Sequence, residues 1–145
     1  MTQTIDAGTA VEKVTRAKHD PEVRIIRRME IGSVIQQGDL YVHRLPEKHA
    51  RGKQLAAGKA QIALGDNMGA RHVAEGEIAV FAGTTLPAGV RAPMDVSESE
   101  ICGPVVVARD TWNLTHPEHA HFTLPAGVYG VTYQYDPRTM RRVQD

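Results

Sequence analysis

The chain has 145 residues, and its 17 Lys and Arg balance its 17 Asp and Glu, for a formal net charge of zero. That length suits one domain with a modest core rather than two, and the neutral balance removes the simplest case for a nucleic-acid or acidic-membrane partner. The lone Cys102 excludes an internal disulfide or a cysteine-built zinc site, and no apolar run approaches the roughly 20 residues of a membrane helix.

Residues 1–30 are polar, charged and poor in aromatics. They are expected to form an extended N-terminal arm ahead of a single β domain over 31–145, with a short helix from Thr9 to about His19 stopped by Asp20-Pro21. The opening MTQTIDAGTAVEKV lacks the apolar centre of a signal peptide, so a soluble chain acting in the cytoplasm, or in an assembly made there, is expected.

Beyond the arm, short alternating runs separated by Gly, Pro and Asp predict an all-β fold. The strands expected in chain order are Arg24–Met29, Ser33–Gln36, Asp39–Leu45, Ala60–Leu64, Arg71–Ala74, Glu77–Ala82, Pro104–Arg109, Trp112–Thr115, His121–Leu124 and Val128–Tyr135. Strands this numerous favour a jelly-roll-like sandwich or a small barrel. In the last of them Tyr129, Val131, Tyr133 and Tyr135 share a face, which should be buried or meet a neighbour. Pro46–Lys59 reads as a loop, because Gly52 and Gly58 oppose regular structure.

Charge is segregated although it sums to zero. Five bases face only Glu47 between Arg44 and Lys59, and six acids face two arginines between Gly65 and Glu100. A solvated surface accounts for such runs; the alternative is a contact between copies, basic loop to acidic segment.

The hexapeptide TLPAGV occurs at 85–90 and again at 123–128. Proline presets φ for a turn and glycine accepts the left-handed position after it, so both copies predict a strand reversal. Just before the second copy stand His116, His119 and His121. The last two would share a strand face, and with His72, Glu118 or Glu75 they are the alternative ligand set for a divalent metal. Surface or subunit-contact histidines beside a turn are the preferred reading, with no metal or other cofactor assigned. Cys102 is expected to be a small buried apolar residue. No catalytic residues are assigned: GDNMGARHV lacks a phosphate-loop lysine, and Ser97 and Ser99 lack a hydrolase elbow.

The segment THPEHAHFTLPAGVYGVTYQYDPRTMRRVQD resembles a group of short bacterial and phage β-proteins. That group shares a Thr-His-x-x-His turn, a Leu-Pro-x-Gly reversal, a tyrosine-containing strand and an Arg-Arg-Val ending. Here these fall on Thr115, His116, His119, Leu124, Pro125, Gly127, Tyr133, Arg141, Arg142 and Val143, with a Gly-Asp strand start at Gly38-Asp39. Where that group tends to carry Gly-His-x-His, this chain has Gly69-Ala70-Arg71-His72, which weakens an inherited metal site. The plan of a small β domain with an arm is similar to that of cementing proteins of tailed-phage capsids. The resemblance implies a structural, non-enzymatic role in a virion, with the major capsid protein and copies of the chain as partners. Ile5, Val11, Val14, Val23, Ile25 and Ile26 would then be apolar anchors, and Arg24, Arg27 and Arg28 would pair with acids on the partner.

Overall fold

The computed structural model of the chain describes residues 22–63, 71–139 and 141–143. The strands are β1 (Val23–Ile25), β2 (Val34–Gln37), β3 (Leu40–Leu45), β4 (Arg51–Gln61), β5 (Val73–Gly83), β6 (Cys102–Thr115), β7 (His121–Leu124), β8 (Gly127–Tyr133), β9 (Tyr135–Asp136) and β10 (Arg141–Arg142). One helical turn, α1 (Glu98–Ile101), precedes β6. The all-β class is observed; within it, eight strands form one sheet curled into a half-barrel, nearer to a small barrel than to a two-sheet jelly roll.

From one edge the order is β4-β5-β6. The far side of β6 is shared, its first half pairing with β8 and its second half with β7, so the sheet forks into β8-β3-β2 and β7-β1. Among the described residues only β1 on β7 is parallel. Among them, too, strands β1, β2 and β4 each pair on one side and are edges.

The bend of the half-barrel lies in β6. Trp112 pairs with Gly76 and Ala108 with Ile78, so Arg109, Asp110 and Thr111 face a single residue of β5, and the ladder to β7 and β8 is interrupted at the same place. The extra residues make a bulge that sharpens the local twist; Asp110 Oδ1 accepts the Thr111 N–H at 2.7 Å within it. Gly76 sits opposite at φ +143, where a Cβ would lie 3.1 Å from that of Trp112. Two pairs of expected strands, 71–74 with 77–82 and 104–109 with 112–115, are thus single long strands interrupted by irregularities rather than turns.

The expected loop at 46–59 is corrected: β4 runs from Arg51 to Gln61. Its ladder to β5 shifts register three times, once around Gly58 at φ +79, so the glycines are absorbed as bulges.

The two TLPAGV copies differ. In the first, Val90 N–H donates to Pro87 O at 3.0 Å and Gly89 takes φ +85, a true reversal. The second does not reverse: β7 and β8 both run antiparallel to β6, and Pro125-Ala126 only bridges them across the bulge. The Tyr129 hydroxyl fixes that bridge by donating to Pro125 O at 2.6 Å.

The core lies on one face of the sheet, with Trp112, Tyr129, Leu114, Leu124, Leu40 and Ile62 almost fully buried. Tyr129 and Tyr133 of the expected aromatic face are inside, and Tyr135 leaves it because β8 ends at Tyr133. Cys102 is half-buried rather than buried.

Candidate functional site

Three chain segments meet at a buried polar network. A two-residue turn, Gly38-Asp39, joins β2 to β3, with Gly38 at φ +58; it sets Gln37 and Asp39 facing His72, which immediately precedes β5. The connection from β6 to β7 adds His116 and His119, and β7 opens on His121.

Gln37 Nε2 donates to Ala120 O at 2.7 Å and to Leu114 O at 3.1 Å. Those bonds fix the amide, so its Oε1 faces His72 Nδ1 at 2.8 Å. Asp39 Oδ1 lies 2.8 Å from His72 Nε2. Each ring nitrogen of His72 meets a polar partner, so the ring is clamped between the Gln37 amide and the Asp39 carboxyl group. The pair is buried, with His72 only 1% exposed.

His116 packs against His72 with ring centroids 4.4 Å apart, and His119 against His116 at 4.3 Å. Glu118 N–H donates to His116 Nδ1 at 3.0 Å, closing the turn after Thr115. His121 Nε2 donates to His116 O at 2.9 Å. The Thr-His-x-x-His sequence therefore builds a self-bonded turn whose rings pack at a tilt behind the His72–Asp39 contact.

Of the alternative ligand set, His72, His116 and His119 come together, but as rings packed on one another; His121 bonds to backbone. Among the described residues no group of three or more His, Cys, Asp or Glu side chains is arranged to hold a metal ion. At His72 both ring nitrogens are already engaged by Gln37 and Asp39. Glu75 pairs with Lys59 at 3.4 Å and Glu118 is exposed. Gln37 and Asp39 were not among the expected site residues. The signal that could have found Asp39 is its place in the Gly-Asp strand start, where a turn residue can turn its carboxylate inward.

The partner-contact residues divide. Ile5, Val11 and Val14, with the expected helix Thr9–His19, lie outside the described residues. Val23 to Ile25 are an edge strand of the sheet rather than free arm: His121 N–H donates to Glu22 O at 2.7 Å and Ile26 N–H to Thr123 O at 2.8 Å. Val23 and Ile25 are 43% and 59% exposed, whereas Ile26 packs on the core, which corrects its expected role as an outward anchor. Arg24 Nε bonds Glu22 at 2.7 Å and Arg28 lies 3.8 Å from Glu30, so both already have acids within the chain; Arg27 is exposed.

The remaining exposed large apolar residues repeat this placement. Val34 is on β2 and Leu55 on β4, with Ile31 in the turn before β2 and Met94 in the loop before α1.

A single curled sheet with three open edges and a polar pin under its fork defines the class of this domain. The chain belongs to a domain family of unknown function, DUF8820, which matches over residues 36–134, from β2 through β8. No curated protein and no solved structure matches it.

Proposed function

We propose that the protein is a structural part that binds and stabilises a large protein assembly, most concretely as a cementing protein of a tailed-phage capsid. The observation that carries this reading is the concentration of exposed large apolar side chains on unpaired edge strands: Val23 and Ile25 on β1, Val34 on β2 and Leu55 on β4. An edge with unused backbone donors and acceptors beside apolar side chains is suited to binding another chain. Several such edges on one small domain allow weak contacts with different neighbours to act together, which is how a clamp holds a shell.

In this reading the partners are the major capsid protein and copies of the chain, the N-terminal arm adds reach by ordering on the shell, and the protein resides in the virion after assembly in the host cytoplasm. Neither membrane nor nucleic acid takes part, and the role involves no catalysis. Density-gradient fractionation of source lysate, probed with an antibody to the chain, tests it. The protein should band with particles, and recovery only in the low-mass fractions would overturn the reading.

A second reading, divalent-metal binding, draws on the meeting of His72, His116 and His119. It requires His72 to give up Gln37 or Asp39. Elemental analysis of the purified chain decides it: less than about one tightly held metal per chain, unchanged in His119→Ala, ends that reading.

A further inference from the structure

Segment 84–97 links β5 to α1 as a strap across the outer face of the sheet, and it contains the first TLPAGV. Its seat is a second, smaller apolar cluster of Leu45, Val105 and Val128, which alternate with residues of the main core and so point the other way. At the centre of this seat Gly130 pairs with His43 on one side and Val105 on the other, and its missing side chain leaves a notch. Pro87 fills the notch: a Cβ on Gly130 would lie 3.3 Å from Pro87 Cγ and 2.9 Å from Leu45 Cδ1. The proline is buried, whereas Ala88 and Gly89 beside it are exposed.

Hydrogen bonds tie the strap to the rest of the chain near its start. Thr84 Oγ1 donates to Ala50 O at 3.3 Å, and Thr85 Oγ1 lies 3.4 Å from His49 Nε2. From Leu86 to Ala92, among the described residues, the bond formed is internal, Val90 N–H to Pro87 O at 3.0 Å, so packing holds this stretch down. Beneath it lies a titratable group. Pro87 to Val90 form one wall of a cleft, and the cross-strand partners His43 and Val34 stand on the other. His43 is 8% exposed, with Nε2 2.7 Å from Thr132 Oγ1. Among the described residues lining the cleft there is no acid, and Arg44 is the one other charged side chain. Its guanidinium is turned to the opposite face, over the Tyr129 ring at 5.6 Å and 3.9 Å from Glu47. Tyr41 flanks His43 on its own strand, β8 offers it Thr132 and Gly130, and the strap's own Arg91 and Asp95 are exposed.

We propose that His43 is the trigger of an acid-opened strap: protonation of its ring places an uncompensated charge beneath Pro87 to Val90, and the segment lifts, uncovering Leu45, Val105 and Val128 while the sheet stays folded. Lifting lets water reach the imidazolium, which the closed cleft does not. Burial lowers the pKa of His43 from 6.5 in the closed form, and opening returns it toward that value. The open population therefore rises as pH falls below 6.5, by at most about tenfold per pH unit, the limit for one proton. His49 is not the trigger, because the Thr85 hydroxyl can accept from a charged ring as well as donate to a neutral one. The device does not rest on the shell-binding reading above.

Hydroxyl-radical footprinting of the full-length chain, read by mass spectrometry between about pH 8 and 5, tests it. Modification of Pro87 and Leu45 should rise below pH 6.5, with exposed Met94 as a constant reference and the core residue Leu114 staying protected. His43→Gln should keep Pro87 and Leu45 protected throughout. Val34→Asp, at an exposed position of β2, sets a carboxylate across from His43 and should move the rise to lower pH. Wild-type Pro87 and Leu45 that stay protected, an equal rise in His43→Gln, a rise that Val34→Asp leaves in place, or one that Leu114 shares would each overturn the proposal.

Discussion

His72 is held inside the protein between Asp39 and Gln37, one at each nitrogen of its ring. Removing one partner of such a pair strands the other, which costs far more than the pair contributes net. Asp39→Ala should therefore lower unfolding stability by about 3–5 kcal/mol in urea titration. Asp39→Leu combined with His72→Phe should cost less than the sum of the single changes, and simple additivity in that double-mutant cycle would show that the bond is not formed. His43 carries a different sign. Burial lowers its pKa from 6.5, and its Nε2 lies 2.7 Å from the Thr132 hydroxyl. Below that unperturbed value the unfolded chain takes up a proton that the folded site refuses, so this term reduces stability as pH falls from 6.5 toward the depressed folded value and is absent at higher pH. His43→Gln, which retains a polar partner for Thr132, should flatten the fall in unfolding free energy as pH drops below 6.5; an unchanged slope would remove His43 as its source.

At the scale of elements, the long central strands depend on places that read as breaks. Gly76 opposite the bulge of β6 is the clearest, because its φ of +143 and its contact with Trp112 leave no room for a side chain. Gly76→Ala should destabilise by about 1–3 kcal/mol, measured by thermal or urea unfolding. The same position explains what the sequence could and could not show. Alternation marked both halves of β5 and β6 correctly, but a glycine or an Asp-Thr pair inside a strand looks the same whether the chain turns or bulges. Strand β4 was hidden because most of its residues are exposed on both faces, so its apolar alternation is lost. The second TLPAGV misled for a related reason: Pro and Gly supply turn geometry, but the ladder to β6 overrides it, and Tyr129 then pins the Pro125 carbonyl. Tyr133 makes the equivalent tie to the β4–β5 connection by donating to Ile62 O at 2.9 Å, and burial pushes its pKa up to about 12. Absorbance titration should find a tyrosine ionising at about pH 12, and Tyr133→Phe should abolish that late step.

For the whole molecule, the histidine cluster was legible because four histidines lie close to turns in the sequence, whereas its acceptors were not, since Gln37 and Asp39 come from a distant hairpin that only folding brings near. The polar composition of residues 1–30 was legible, but the start of the sheet within them was not, because a three-residue edge strand such as Val23–Ile25 is too short for periodicity to mark. That boundary is testable. The sheet begins with the Glu22 carbonyl, which accepts from His121, so a chain starting at Glu22 retains every described contact of β1. A chain starting at Ile31 loses β1, the packing of Ile26 and the buried Met29, and exposes the β7 edge. Deleting 1–21 should leave the urea midpoint nearly unchanged, whereas deleting 1–30 should lower stability by about 2–5 kcal/mol, the scale set by emptying a buried Met site. Equal loss from both deletions would mean that residues 1–21 contribute to the fold itself. If the shorter deletion leaves the fold intact but abolishes banding with particles, attachment is separated from folding, as expected of an arm whose ordering occurs on its partner.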